Sequence, residues 1–167
     1  IILDEALTIG GSVPTNDVSK FIDKLSIPTI QIRDYQLGAV THALNSKKTI
    51  LLSPTASGKS LIIYCIIRMM KVLGNRCLLI VPTTSLVEQM YKDFEDYGWN
   101  AEKYCHRKYY GYENETDKPV VISTWQSLAT FDKEYFKDFG CVIGDEAHLF
   151  KSKELQKILG SLINAKY

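Results

Sequence analysis

The chain of 167 residues is predicted to be α/β, with a mostly parallel sheet and helices on both faces. Three observations predict this. Short runs such as Leu78-Leu79-Ile80-Val81 are apolar at every position, as strands buried on both faces must be. These runs alternate with stretches of helical periodicity, which supply crossover connections. Finally, the apolar run Thr49-Ile50-Leu51-Leu52 leads straight into a turn of small residues and then an apolar helix.

The elements follow in order. From Thr15 to Leu25, Val18, Phe21, Ile22 and Leu25 recur at helical spacing behind the capping candidates Thr15 and Asn16, after the break Gly10-Gly11-Ser12-Val13-Pro14. Beyond Pro28 the pattern predicts a helix over Asp34–Asn45, a strand over Thr49–Leu52 and a helix over Lys59–Leu73. It continues with a strand over Cys77–Val81, a helix over Ser85–Tyr97 and a strand over Val120–Ser123. A helical piece near Gln126–Phe136, a strand over Cys141–Gly144 and a last helix over Lys153–Ile163 complete it. Tyr104–Tyr112 and the polar Glu113–Asp117 fit neither template and are expected as a loop or hairpin insertion. The tyrosines of that stretch, with Arg107 and Lys108, suit base stacking and phosphate neutralisation, although an exposed loop of this composition needs no such role.

At 46% hydrophobic residues the chain can build one core and is too short for two full domains. Twenty Lys+Arg against nineteen Asp+Glu give a net charge of +1, so no global field marks a polyanionic partner, and any nucleic-acid surface must be local. Cys65, Cys77, Cys105 and Cys141 lie far apart without a C-x-x-C pair, which reads as buried, reduced thiols rather than a zinc site or disulfides. No apolar stretch reaches the roughly 20 residues of a membrane span, which points to a soluble, cytoplasmic protein with no membrane partner. The chain begins at Ile1 with no Met, so it reads as a piece of a longer protein.

Ser53-Pro54-Thr55-Ala56-Ser57-Gly58-Lys59-Ser60 carries the most chemistry. Backbone N–H groups of Thr55, Ala56, Ser57 and Gly58 can point inward at phosphate oxygens. Lys59 can then reach the β/γ-phosphates while the Ser60 hydroxyl takes a place on Mg²⁺. The generic pattern has Gly where this chain has Ser53. The second half of such a site stands at Cys141-Val142-Ile143-Gly144-Asp145-Glu146-Ala147-His148, an apolar strand ending in two carboxylates, where strand ends line the ligand crevice of a doubly wound sheet. Asp145 would hold Mg²⁺ and Glu146 would polarise the water attacking the γ-phosphate.

These stretches resemble motifs I and II of superfamily 2 DEAD/DEAH-type helicases, in which a small residue commonly stands at the first position of motif I. Arg33-Asp34-Tyr35-Gln36 resembles the upstream adenine-recognition motif, Val81–Leu86 resembles motif Ia, and Ser123–Leu128 the later strand-contacting motif. The wording is most similar to the UvsW-type helicases of bacteriophages and, more distantly, to the XPB-like branch. The resemblance implies a first RecA-like P-loop domain over residues 31–167, behind an N-terminal segment over 1–30. It further implies ATP and Mg²⁺ as cofactors, with Arg33 and Gln36 at the base, and Pro82, Thr83, Thr124, Trp125 and Gln126 along a nucleic-acid backbone. His148 would couple nucleotide state to the domain boundary.

The partner implied is DNA, single-stranded, duplex or branched, with RNA left open. The function implied is an ATP-dependent helicase in recombination, repair or replication. The alternatives are a duplex translocase of restriction or repair machinery and an RNA helicase. The resemblance also implies a second RecA-like domain, supplying arginine fingers, that is absent from these 167 residues, so this stretch alone is expected to bind nucleotide and hydrolyse it feebly.

Overall fold

The computed structural model describes residues 12–28, 30–46, 49–52, 57–109, 116–129 and 131–146. The chain divides between Gly74 and Asn75 into two units.

The first unit is helical. Helix α1 (Thr15–Lys24) buries Val18 and Ile22 and packs on α2 (Asp34–Asn45). The segment before α1 is held by both ends of one amide. Val13 N–H donates to Asn45 Oδ1 at 2.6 Å, and Asn45 Nδ2 donates to Val13 O at 3.0 Å, the same exchange that a strand neighbour would offer. The helix starts one residue before the sequence signal suggests, because Pro14 occupies the N-cap and Thr15 is already helical. Pro14 offers no side-chain acceptor, and its fixed φ suits helix entry. Along α2 the buried residues Gln36, Val40 and Leu44 form a single stripe. This helix packs on α3 (Lys59–Val72), whose residues from Leu61 to Met70 are all buried except Arg68. A helix apolar on nearly every side belongs in an interior.

The expected strand Thr49–Leu52 is absent. These four residues are irregular, and Ile50 and Leu52 are 79% and 94% exposed. A strand exists only where a neighbour accepts its N–H and C=O groups, and none of the described ladders includes them. An apolar run states which side chains favour leaving water. It carries no information about whether a sheet edge is in reach.

The second unit is a four-stranded parallel sheet in the order β2-β3-β1-β4. Strand β1 (Cys77–Val81) pairs with β3 (Val120–Thr124), with Val81 opposite Thr124, and with β4 (Cys141–Gly144), with Cys77 opposite Cys141. Strand β2 (Cys105–Lys108) pairs with β3. Registered neighbours share a face, so Leu78 and Ile80 stand beside Val121. Phe136, Phe139 and Leu128 pack on that face, brought there by two short helices, α6 (Trp125–Leu128) and α7 (Lys133–Phe136). The other face carries α4 (Thr84–Asp96), which buries Val87, Met90 and Phe94. A turn of helix, α5 (Ala101–Tyr104), leads from α4 into β2.

Two expectations are corrected here. The helical piece over Gln126–Phe136 is two helices, because Asp132 caps the second, its Oδ1 accepting from the N–H groups of Glu134 and Tyr135. Of the stretch expected as a loop or hairpin insertion from Tyr104 onward, Tyr104 ends a helical turn and Cys105–Lys108 adds a strand to the sheet, while residues 110–115 lie outside the described residues. All four cysteines are free and buried, as expected. Burial pushes the Cys65 thiol up to about 12. A thiol–thiol hydrogen bond with Cys141, together with burial, raises Cys77 further.

Candidate functional site

In the first unit the described part of the small-residue turn ends at Gly58, the N-cap of α3, with φ 74° and ψ 40°. This left-handed residue turns the chain so that Lys59 and Ser60 fall in the first helical turn, where the helix dipole favours negative charge. The turn is held from α2. Gln36, only 4% exposed, accepts the Arg33 N–H on Oε1 at 3.0 Å and donates from Nε2 to Ser57 O at 3.0 Å. Gln36 thus sits at N3 of its own helix and reaches back to the N-cap backbone, half of a capping box, while its other end grips the turn. Each end of the amide keeps capacity beyond these contacts, one hydrogen on Nε2 and one lone pair on Oε1. A Cβ at Gly58 would lie 2.4 Å from Gln36 Nε2, so the approach of the two segments requires glycine there.

Arg33, Gln36, Ser57, Gly58, Lys59 and Ser60 are therefore gathered by one helix start, one turn and the next helix start. Tyr35, absent from the sequence-derived set, belongs with them, because its hydroxyl also donates to Ser57 O at 2.8 Å. Its position next to Gln36 was the only signal available. Thr55 and Ala56 lie outside the described residues, as do His148 and the helix expected over Lys153–Ile163.

In the second unit the carboxyl ends of adjacent strands gather the remaining candidates. Asp145 follows β4 and extends its ladder, with its N–H donating to Ile80 O at 2.9 Å. The Asp145 side chain is buried, and its Oδ1 accepts the Glu146 N–H at 3.0 Å. Glu146 has φ 55°, the left-handed region that favours glycine, which costs a side-chain-bearing residue about 1 kcal/mol or more. At the end of β1, Pro82 is followed by Thr83, whose Oγ1 caps α4 by accepting Leu86 N–H at 3.3 Å. At the end of β3, Thr124 caps α6 in the same way through Ser127 N–H at 3.4 Å. Gln126 is exposed, whereas Trp125 is half-buried against the core beneath α6 and α7.

Tyr104, Arg107, Lys108 and Tyr109 are engaged by neighbouring side chains. Tyr104 stacks on Trp99 with centroids 5.4 Å apart. Arg107 Nη1 pairs with Glu88 Oε2 at 2.7 Å and lies over the Tyr91 ring, and Tyr109 donates to Glu88 Oε1 at 2.6 Å. Lys108 is 2% exposed, its Nζ 4.1 Å from the centroid of Phe131 and 5.7 Å from that of Tyr135. Burial holds its ammonium below the ordinary lysine value of 10.5. Phosphate neutralisation by Arg107 and Lys108 is therefore not what these conformations offer. One is committed to a carboxylate on α4, and the other lies under aromatic rings. Glu88, the residue that organises the cluster, carries no motif and was invisible in the sequence.

Among the described residues no group of three or more His, Cys, Asp or Glu gathers to hold a metal, and no helix is long and apolar enough to cross a membrane. In each unit taken by itself the oxygen donor present, the Ser60 hydroxyl in the first and the Asp145 carboxylate in the second, is of the kind that suits a hard cation.

A family model described as type III restriction enzyme, res subunit, matches residues 29–167. The ATP-dependent DNA helicase uvsW of Enterobacteria phage T4 is 35% identical over 161 residues, which is 90% of this chain and 32% of that protein. The DNA 3'-5' translocase XPB2 of Sulfurisphaera tokodaii is 30% identical over 156 residues, 87% of this chain and 32% of that protein. The crystal structure of the UvsW helicase from bacteriophage T4 has the same fold, with a TM-score of 0.85 at 32% identity, covering 93% of this chain and 58% of that one. The chain thus spans about a third of the length of these curated relatives, 32% of each.

Proposed function

This chain belongs to the family of the type III restriction enzyme res subunit, and from that premise we propose that it is the ATP-binding motor domain of an ATP-dependent DNA helicase or translocase. Its substrates are branched or duplex DNA in recombination, repair or replication. Residues 31–167 form the first RecA-like domain, preceded by the segment 1–30. The observation that carries the reading is the left-handed Gly58 opening α3, with Lys59 and Ser60 in the first turn and Gln36 fastened to the turn before them. That combination suits a nucleoside triphosphate, with phosphates on the helix start and the spare edge of Gln36 on the base. One amide hydrogen and one lone pair match the N7 and N6 edge of adenine.

In this reading Lys59 neutralises charge on the β- and γ-phosphates. Glu146 polarises the attacking water, and Asp145 would hold the magnesium ion. Magnesium, when bound, would draw negative charge from the phosphate oxygens. Arg33 stands beside the base, His148 couples nucleotide state to the domain boundary, and Pro82, Thr83, Thr124, Trp125 and Gln126 follow the nucleic-acid backbone. Hydroxyls and helix starts suit such contact because they meet phosphates without reading sequence.

A second reading, a translocase that moves on duplex without separating strands, is favoured by the similarity to a protein named as a DNA translocase. Strand displacement against triplex displacement by the protein that contains this chain separates the two. The test of the site is ATP hydrolysis by that protein with single-stranded, duplex and forked DNA and with RNA. Lys59→Ala is expected to abolish tight nucleotide binding, and Glu146→Gln to keep binding and lose turnover by at least about 100-fold. Normal hydrolysis by both variants would sink the assignment, and stimulation by RNA alone would sink the DNA reading.

A further inference from the structure

Ser57 O is the acceptor for two side chains at once, Tyr35 Oη at 2.8 Å and Gln36 Nε2 at 3.0 Å. In a planar trans peptide the C=O and the following N–H point in opposite directions, and no cis peptide occurs here. Drawing Ser57 O toward the start of α2 therefore aims the Gly58 N–H the other way, which in the proposed function makes it one of the donors to phosphate. We propose that Tyr35 and Gln36 lock the Ser57–Gly58 peptide in this orientation, making Tyr35 a positioning residue for the triphosphate rather than a contact for the base. The inference rests on the reading of Gly58–Ser60 as the phosphate-binding helix start.

The lock answers a weakness that the turn creates for itself. Gly58 must be glycine so that Gln36 can approach, yet glycine leaves the peptide before it nearly free to flip. A flipped peptide would replace a donor N–H with a carbonyl oxygen facing phosphate, turning attraction into repulsion. One hydrogen bond from Gln36 restrains the flip, but that amide also serves the Arg33 N–H and, in the proposed function, the base. Tyr35 supplies a second restraint that does not depend on the base. Arg33 Nη1, 3.4 Å from Tyr35 Oη, donates to the hydroxyl, which leaves the hydroxyl proton free to face Ser57 O.

The test is equilibrium binding of ATP, GTP and inorganic tripolyphosphate, each with Mg²⁺, to the full chain and to Tyr35→Phe. Loss of one hydrogen bond of ordinary strength is expected to weaken ATP and tripolyphosphate by the same factor, about 5- to 10-fold. The ATP-to-GTP ratio should be unchanged, and the melting temperature without ligand should fall by no more than the roughly 2 to 4 °C that one hydrogen bond is worth in a chain of this size. In ¹H–¹⁵N spectra the Gly58 amide should shift with tripolyphosphate in the parent chain, and the shift should shrink in Tyr35→Phe. Weakened ATP with unchanged tripolyphosphate would mean that the ring acts on the base and would overturn the lock, as would unchanged affinity for both. If the parent chain bound neither ATP nor tripolyphosphate, the phosphate reading itself would fail, and the lock with it.

Discussion

At Gly58 the backbone has φ 74° and a Cβ would meet Gln36 Nε2 at 2.4 Å. Gly58→Ala therefore incurs both a left-handed penalty and a displaced amide, and is expected to lower stability by about 2 kcal/mol in urea unfolding. Gly38 is the control. It lies inside α2 with nothing within 4 Å of an added Cβ, so Gly38→Ala is expected to stabilise by about 0.5 to 1 kcal/mol. A loss at Gly38 equal to that at Gly58 would show that the close approach plays no part. Lys108 supplies the pH-dependent case. Burial lowers its folded-state value below the ordinary 10.5, so the folded chain holds its proton less firmly than the unfolded chain. The cost of burying the ammonium is fully present below the folded value and fades as pH rises through that value toward 10.5. Lys108→Met removes the titration and keeps the aliphatic stem, so wild type should gain stability relative to the variant as pH is raised in that window. A stability difference that stayed flat with pH would contradict a buried, destabilised ammonium.

At the scale of elements, β2 is tied to α4 through Glu88, which receives both Arg107 and Tyr109. Because the ion pair is partly exposed, its worth is modest. Glu88→Ala is expected to cost about 1 kcal/mol and to speed amide exchange in Cys105–Lys108 while leaving β1 and β3 protected; uniform exchange across the sheet would argue against a local tie. The same strand shows where sequence reading stops. Strands β1 and β4 and helix α2 were legible to the residue because their own side chains carry the pattern, continuous apolar runs in the strands and a buried stripe in the helix. Cys-His-Arg-Lys has no such pattern. It is a strand because β3 offers an edge, Glu88 receives Arg107, and Phe131 covers Lys108, and these partners come from distant stretches that no local periodicity samples. Thr49–Leu52 is the converse, a fitting pattern with no described ladder. The split between α6 and α7 was written in Asp132, a capping residue that the expectation of one helix passed over.

For the whole molecule, the placement of each candidate group was legible because it is contiguous: Gly58, Lys59 and Ser60 at one helix start in the first unit, Asp145 and Glu146 at one strand end in the second. What holds it was not, since the Gln36 contact to Ser57 spans 21 positions, and Tyr35 works through a hydroxyl that no pattern requires. A ligand that binds only the folded state raises its stability by RT ln(1 + [L]/Kd), about 2.7 kcal/mol at a hundred times Kd. For a chain of this size each kcal/mol moves the melting temperature by roughly 2 to 4 °C. Saturating ATP with Mg²⁺ is therefore expected to raise the midpoint by about 5 to 10 °C. Lys59→Ala should lose that shift, because in the proposed function the lysine meets the phosphates of the bound nucleotide. Glu146→Gln should keep it, because in the proposed function the carboxylate acts on the water and contributes to turnover more than to binding. At the same concentration GTP should give a smaller rise, since its N7 and O6 edge presents two acceptors to an amide that offers one donor and one acceptor. Equal shifts with ATP and GTP would remove Gln36 from the base, and a full shift in Lys59→Ala would place the phosphates elsewhere in the chain.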